Sequence, residues 1–362
     1  MVKKYNFKII TDDPQQFTGE KIIVYGRSLS ALRSYKNLLN WGASVVGFCD
    51  SFVESPGEQF CELPLYTTEQ LKAIEDTKIY IATRKAKYKR EILNTLNNLG
   101  LVGYVYPGGL WGAGEYNTEE MRKIMDADQE EIDFVRSRLS DDFSIKTYEN
   151  LLNYRLTNNV ELIEEIYEKS HLQYFPDESI LPKTEKEIFI DAGAFNGATS
   201  RQFSDWVNGK YEKIYVMEPD DLMFTITKEY LKLKNISSIE LVKAGAYSNN
   251  GEIHFLENNL SGSSKISEDG GCVIKTVSID SMLDGACATY IKMDIEGAEM
   301  EALIGADKTI TNYMPKLAIS IYHKDDDLWK LPYYLMKKYP DYKFFMRHYT
   351  DITTETVLYA TK

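Results

Sequence analysis

Apolar and polar positions along the chain change period three times, and each change marks a different kind of element. From Lys21, short apolar runs alternate with amphipathic stretches. Ile22-Ile23-Val24-Tyr25 predicts a strand ending in a turn at Gly26. Residues 28–40 carry Leu29, Leu32, Leu38 and Leu39 on one helical face. Val45-Val46-Gly47-Phe48 predicts a second strand that runs out at Cys49-Asp50, and Pro56-Gly57 a loop. Thr67 or Thr68 can cap a short helix around residues 71–74. Residues 78–82 predict a third strand, 88–99 a helix stopped by Gly100, and 101–106 a fourth strand before Pro107-Gly108-Gly109. Residues 1–20 read as a polar leader.

Between residues 110 and 180 the strand signal vanishes. Residues 118–124, 129–139, 148–155 and 160–168 read as helices, with breaks at Ser140-Asp141-Asp142 and Thr157-Asn158-Asn159. The aromatic stretch Gln173-Tyr174-Phe175-Pro176 reads as an anchoring plug in preference to a lid. From Glu187 the alternation resumes, with strands expected at 187–191, 214–218, 240–244, 289–294, 317–322, 342–346 and 356–359. Residues 251–257 and 273–278 alternate with period two and predict an inserted hairpin. Only residues 348–355 separate the last two strands, so these can pair antiparallel. The expected fold is α/β, with two Rossmann-like domains at 1–109 and 183–362 joined by a helical connector at 110–182.

Composition changes this picture little; charge narrows the partners. The formal net charge of −13 argues against a nucleic-acid binder and against an anionic membrane surface. The basic group Arg84, Lys85, Lys87, Lys89 and Arg90 reads as a solvated helix face. No apolar run has the length to span a bilayer, and the N-terminus lacks the apolar core of a secretory signal. Cys49, Cys61, Cys272 and Cys287 have no metal-ligand spacing and read as buried free thiols in a reducing cytoplasm.

Candidate chemistry concentrates in residues 187–218. A strand ends on Asp191, a small-residue loop follows (Gly193, Ala194, Asn196, Gly197), and a second strand ends on Glu218. Small residues let a ligand approach the backbone, and an acid at the second strand end suits a ribose diol. An acid ahead of the glycines would repel the pyrophosphate of a dinucleotide. It suits S-adenosylmethionine, which carries a sulfonium and an amino group. The first-domain turn, Gly26-Arg27-Ser28-Leu29-Ser30-Ala31, keeps only the first glycine of the dinucleotide fingerprint. Asp50 there serves equally as ribose ligand or as cap.

A set of short motifs carries a resemblance. They are residues 189–197 (Phe-Ile-Asp-Ala-Gly-Ala-Phe-Asn-Gly), Glu218-Pro219-Asp220, Ala244-Gly245-Ala246, residues 261–264 (Ser-Gly-Ser-Ser) and Val277-Ser278-Ile279-Asp280. Residues 291–299, with Lys292, Asp294, Glu296-Gly297 and Glu299, are the most distinctive, and Arg347-His348-Tyr349 closes the set. Over residues 130–362 the chain resembles the FkbM-type S-adenosylmethionine-dependent methyltransferases. The resemblance implies a class I methyltransferase sheet with a reversed last strand, and O-methylation, often of sugars, polyketides or antibiotic scaffolds. It also implies that Asp191, Gly193, Ala194, Asn196, Gly197, Glu218, Ala244, Gly245 and Asp294 bind the donor. The first domain resembles, in pattern alone, the small Rossmann-like module found ahead of sugar-modifying transferases, which binds nucleotide sugars.

O-methyl transfer needs an aligned acceptor and a group that removes the hydroxyl proton. His323, directly after the fifth strand, is the first candidate base, and His348 the second. Asp294 can orient the base, bind the methionine amino group or act as base itself. Glu296 completes the fourth strand end, and Arg347 can grip an anionic group of the substrate. Each has a plain structural alternative: a capping histidine, a helix-dipole acid at Glu299, or an arginine paired with an acid. Asp294 and Glu296, two apart on an extended strand, could hold a hard cation with His323. With no dedicated motif, no residue is assigned to a metal. His254 reads as structural and His171 as a surface or connector residue. The expectation is a cytoplasmic methyltransferase for a small-molecule or glycan acceptor, with a nucleotide sugar at the first domain and a homo-oligomer left open. The competing readings are an NAD(P)-dependent oxidoreductase and a non-catalytic nucleotide-sugar scaffold.

Overall fold

A computed structural model describes residues 7–9, 17–51, 53, 57–83, 86–105, 116–159, 161–168, 173–256, 265–266 and 272–362. Expectations for Arg84, Lys85, residues 107–109, His171 and residues 261–264, and for the side chains of Lys87 and Arg90, lie outside the described residues. The chain divides into two compact units, neither of them one continuous stretch. One comprises Met1–Asp126, Asn150–Glu165 and Asp351–Thr353; the other comprises Ala127–Glu149, Ile166–Thr350 and Thr354–Lys362.

The first unit is built on β1 (Phe7–Ile9), β2 (Lys21–Tyr25), β3 (Ser44–Cys49), β4 (Gln59–Phe60), β5 (Leu63–Tyr66), β6 (Lys78–Ile81) and β7 (Gly103–Val105). Their order is β1-β7-β6-β2-β3-β5-β4, and all neighbours run parallel except β4 and β5. The central strand β2 is apolar at four successive positions because both of its faces are covered. Ile22 and Val24 pack with Ala31 and Leu38 of helix α1 (Leu29–Asn40); Ile23 and Tyr25 pack with Ile92, Leu93 and Leu96 of α2 (Ala86–Asn98). Three expectations need correction. The leader contributes an edge strand, β1. Lys89 is fully buried, so α2 does not present a wholly solvated basic face. Cys61 is exposed, on the two-residue turn between β4 and β5. That hairpin lacks Asn-Gly, yet Cys61 and Glu62 take φ of 53° and 63°, the pair of positive values its twist requires.

Helices α3 (Thr118–Ala127), α4 (Gln129–Arg138), α5 (Asp142–Thr157) and α6 (Glu161–Glu164) follow, and α5 passes from the second unit into the first between Glu149 and Asn150. It starts well before residue 148 because the Asp141 carboxylate accepts the Ser144 N–H at 2.7 Å and caps it there.

The second unit carries β8 (Glu187–Ala192), α7 (Ala198–Trp206), β9 (Tyr211–Met217), α8 (Asp221–Leu233) and β10 (Ile239–Val242). A small sheet follows, formed by β11 (Gly245–Ala246), β12 (Gly251–Leu256), β13 (Lys265–Ile266) and β14 (Cys272–Val277); β12 and β14 pair antiparallel, as the alternation predicts. Then come α9 (Ile279–Leu283), β15 (Tyr290–Met293), α10 (Glu299–Ile304), α11 (Asp307–Tyr313), β16 (Lys316–Ser320), α12 (Asp327–Lys338), β17 (Lys343–His348) and β18 (Thr356–Thr361). The main sheet has the order β10-β9-β8-β15-β16-β18-β17, with β18 antiparallel to both neighbours. The reversed last strand is thus present. Aromatic packing fixes the element at its centre: Phe189 of β8 stacks on Phe203 of α7 at 4.3 Å between centroids, with Phe175 and Tyr290 against them. The loop between β8 and α7 is therefore held at both ends by core residues.

Candidate active site

In open α/β sheets, ligands bind beyond the carboxyl ends of the strands. In the second unit that edge is formed by the segments after β8, β9, β10, β15 and β16. An open groove of about 710 Å³ lined by Lys183, Lys186, Asn208, Lys210 and Tyr211 lies at the opposite edge, where β8 and β9 begin. It does not share the chemistry described next.

The segment after β8 is pressed onto the segment after β15. Gly193 has φ of 79°, and a Cβ there would stand 1.8 Å from the Asp294 carbonyl oxygen. Only glycine permits both the turn and the approach. Gly193 and Ala194 donate their N–H groups to the Met217 carbonyl, and Asn196 accepts from Ala198 N–H at 3.0 Å. Gly197, φ 79°, starts α7 and fits under Leu231 and Thr227 of α8.

Asp191 has no exposure. Its carboxylate accepts from Ser200 Oγ at 2.6 Å and lies 3.2 Å from Lys292 Nζ. Lys292, equally buried, also donates to the carbonyls of Ala192 and Gly193. The acid that suggested a cationic ligand is thus neutralised within the core, and its visible task is to brace the loop through Lys292. Glu218 is also buried; its oxygens accept the N–H groups of Phe195 (2.8 Å) and Asp220 (2.9 Å). Burial raises its pKa to about 7, against the lowering effect of those bonds. Ala244 and Gly245 follow β10 at the same edge, with Pro219 3.9 Å from where a Gly245 Cβ would stand.

The second half of the site gathers around His323. Its Nε2 lies 3.2 Å from Asp294 Oδ1 and 3.9 Å from Glu296 Oε2, and its Nδ1 2.9 Å from Glu299 Oε1. Burial opposes charge on the ring, but Glu299 and Asp294 outweigh it and raise its pKa well above the ordinary value. Asp294 is further held by the hydroxyls of Tyr174 (2.8 Å) and Tyr322 (3.1 Å). Burial disfavours its ionisation too, yet the bonds from His323 and Tyr174 with the charge of Lys292 keep it below the carboxylate range. Glu296 side-chain exposure is 35%, and burial against neighbouring acids raises its pKa to about 7. It has φ of 58°, so Asp294 and Glu296 do not share an extended strand; a tight turn past β15 brings them to the same imidazole.

Arg347 and His348 lie elsewhere. Both are strand residues of β17 and do not follow it. Arg347 is bound by Asp141, Ser144 and the Met346 carbonyl, and His348 Nδ1 pairs with Thr356 Oγ1 at 2.8 Å. They carry no group toward Asp294 in the bonds described. Three contributors carry no chemical role that the sequence displays, though Glu299 lies in its most distinctive motif. Tyr174 belongs to the aromatic plug, packs as one, and still reaches Asp294. Glu299 reads from sequence as a helix-end acid. Glu355 accepts from Tyr322 and Gln173, and only its place before β18 could have pointed to it.

The chain matches the Methyltransferase FkbM domain profile over residues 145–350. Among solved structures, a methyltransferase FkbM from Methylobacillus flagellatus KT superposes with a TM-score of 0.75 at 24% identity, covering 99% of this chain and 94% of that one. An rRNA methylase from Streptococcus thermophilus overlaps 57% of this chain and 93% of its own, at 14% identity and a TM-score of 0.32. A precorrin-6y C5,15-methyltransferase from Geobacter metallireducens GS-15 overlaps 55% and 95%, at 13% and 0.34. These two add nothing to the assignment. No curated protein sequence matches. With its profile match spanning more than half of the residues, the chain belongs to the FkbM methyltransferase family, whose methyl donor is S-adenosylmethionine.

Proposed function

We propose that this protein transfers the donor methyl group in line to a hydroxyl oxygen of a carbohydrate-type acceptor, free or nucleotide-linked. The donor supplies an electrophilic methyl on a sulfonium. The chain's residues fit it: Glu218 uses one lone pair on each oxygen and keeps others for ribose hydroxyls, while the adjoining loop is small at Gly193, Ala194 and Gly197 and exposes one large side chain, Phe195.

The observation that carries the acceptor side is the contact of the Gly193 loop with the Asp294 segment, which sets the His323 carboxylate cluster beside the donor loop. Within that cluster Glu296 has the most exposed side chain among the residues facing His323, so it is the group best set to take the hydroxyl proton. His323 is flanked by carboxylates at both nitrogens, which favours a charged ring that orients Asp294 over the base role its sequence position suggests. The balance is simple: an O–C bond forms, the C–S bond breaks, and the hydroxyl proton passes to Glu296. Gly26 and Asp50, at the ends of adjacent strands β2 and β3, support a nucleotide-linked group at the first unit. The free thiols of Cys49, Cys61 and Cys287 support a reducing compartment, for which we propose the cytoplasm. Among the described residues, no helix is long and apolar enough to cross a membrane.

The test has two arms. Calorimetric titration with S-adenosylhomocysteine should give binding by the full chain. Incubation with S-adenosylmethionine and a panel of nucleotide sugars should add one methyl to a hydroxyl, read by mass and NMR. Glu296→Gln should slow that transfer by about 10²-fold or more. A methyl found on nitrogen or carbon would refute the O-methyl assignment.

A further inference from the structure

We propose that Asp294, Glu299 and His323 form a binding site for one hard divalent cation of the Mg²⁺ or Mn²⁺ type. One oxygen from each carboxylate and one ring nitrogen all lie within 4.8 Å of one another. The ring ligates in its neutral form, so the ion displaces the proton that the flanking carboxylates otherwise hold on it. The independent sign is Glu299. Its side chain is 1% exposed; Oε1 accepts the Ile295 N–H at 2.9 Å, but Oε2 has no hydrogen-bond partner among the described residues. A buried carboxylate oxygen without a donor is costly, and an ion satisfies it directly.

Charge points the same way. Asp294, Glu296, Glu299, Asp327 and Glu355 act on one another here, and the cations within their reach are His323, Lys292 and Lys324. Lys292 is already engaged by Asp191, and Lys324 is exposed. Negative charge is thus in excess at a partly buried point, which is the condition that draws in a cation. Two carboxylates suit Mg²⁺ or Mn²⁺, the imidazole favours Mn²⁺ of the two, and soft metals would call for thiolates. The carboxylates are also pre-set: Tyr174 and Tyr322 hold Asp294, and the Ile295 N–H holds Glu299, as outer partners do around metal ligands. The ligands are spread over positions 294, 299 and 323, so no sequence motif displays them.

The inference rests on reading this edge as the methyl-transfer site, where a cation would lower the pKa of the acceptor hydroxyl beside Glu296. The experiment separates the two ideas. Metal-free full-length protein is titrated with Mn²⁺, followed by electron paramagnetic resonance, and separately with S-adenosylhomocysteine. We expect one Mn²⁺ per chain, and binding weakened about tenfold or more in Glu299→Gln with S-adenosylhomocysteine affinity retained. Should Glu299→Gln fail to fold, His323→Ala serves with the same expectation. Absence of Mn²⁺ binding by protein that takes up S-adenosylhomocysteine would overturn the cation site alone. Equal Mn²⁺ affinity in wild type and the folded variant would also overturn it. Failure to bind S-adenosylhomocysteine would instead overturn the donor-site reading.

Discussion

Glu218 shows what a single buried acid can dictate. Burial lifts its carboxyl from 4.5 to about 7; Asp220 pushes the same way and Lys292 pulls back. In the proposed donor site the ionised form is the better acceptor for two ribose hydroxyls, so S-adenosylhomocysteine affinity should rise from about pH 6 to about pH 8. Glu218→Gln should flatten that profile; a profile unchanged by the substitution would remove Glu218 as its source. For stability the sign is opposite. The folded state holds the proton more tightly, so this group's contribution is greatest below 4.5 and falls as pH rises toward 7. Lys292 gives a second case. Lys292→Met would leave Asp191 in the core without its counter-ion, a loss of about 3–5 kcal/mol by urea denaturation. The double change with Asp191→Asn should recover part of it, and strict additivity would show that the two do not act as a pair. From sequence, Asp191 was legible as an important acid but not as an internal one. Its partner is 101 positions away, and nothing local tells a ligand-facing carboxylate from one held by a lysine.

Elements were easier to read than sites. Strands β8, β9, β15 and β16 are apolar runs because they are covered on both faces, and such runs stand out in any sequence. The hairpin β12–β14 alternates with period two and was equally visible. Strands β4 and β5 escaped notice because they are short and joined by Cys61-Glu62, a turn without the usual residues. The end of β17 was misplaced: Arg347 and His348 continue the strand because Thr356 and Val357 pair with them, a fact that lies in the partner strand. Helix α7 is anchored in the core through Phe203, whose ring lies against Phe189, Phe175 and Tyr211. Removing the Phe203 ring would delete its stack on Phe189 and leave a cavity beneath the donor loop. Phe203→Ala should cost about 3–5 kcal/mol, measured by chemical denaturation. A loss below about 1 kcal/mol would mean that α7 is anchored by other residues.

For the whole molecule, what matters is that each compact unit is assembled from separate stretches of chain. Periodicity suggests a cut before residue 183, but the second unit also owns Ala127–Glu149 and the plug. A 183–362 fragment would lose Asp141 and Ser144, stranding the buried Arg347, and Tyr174, which braces Asp294. It should lack a cooperative thermal transition by circular dichroism, whereas a 127–362 fragment should show one; equal melting of the two would contradict this. The same ownership bears on how the protein is made. Asp141 leaves the ribosome 206 residues ahead of Arg347. At ~5–20 residues per second it waits roughly 10–40 s for its partner. Through that interval the start of α5 is a nascent helix with no sheet to rest on, so slow translation or scarce chaperones should be felt first at that stretch.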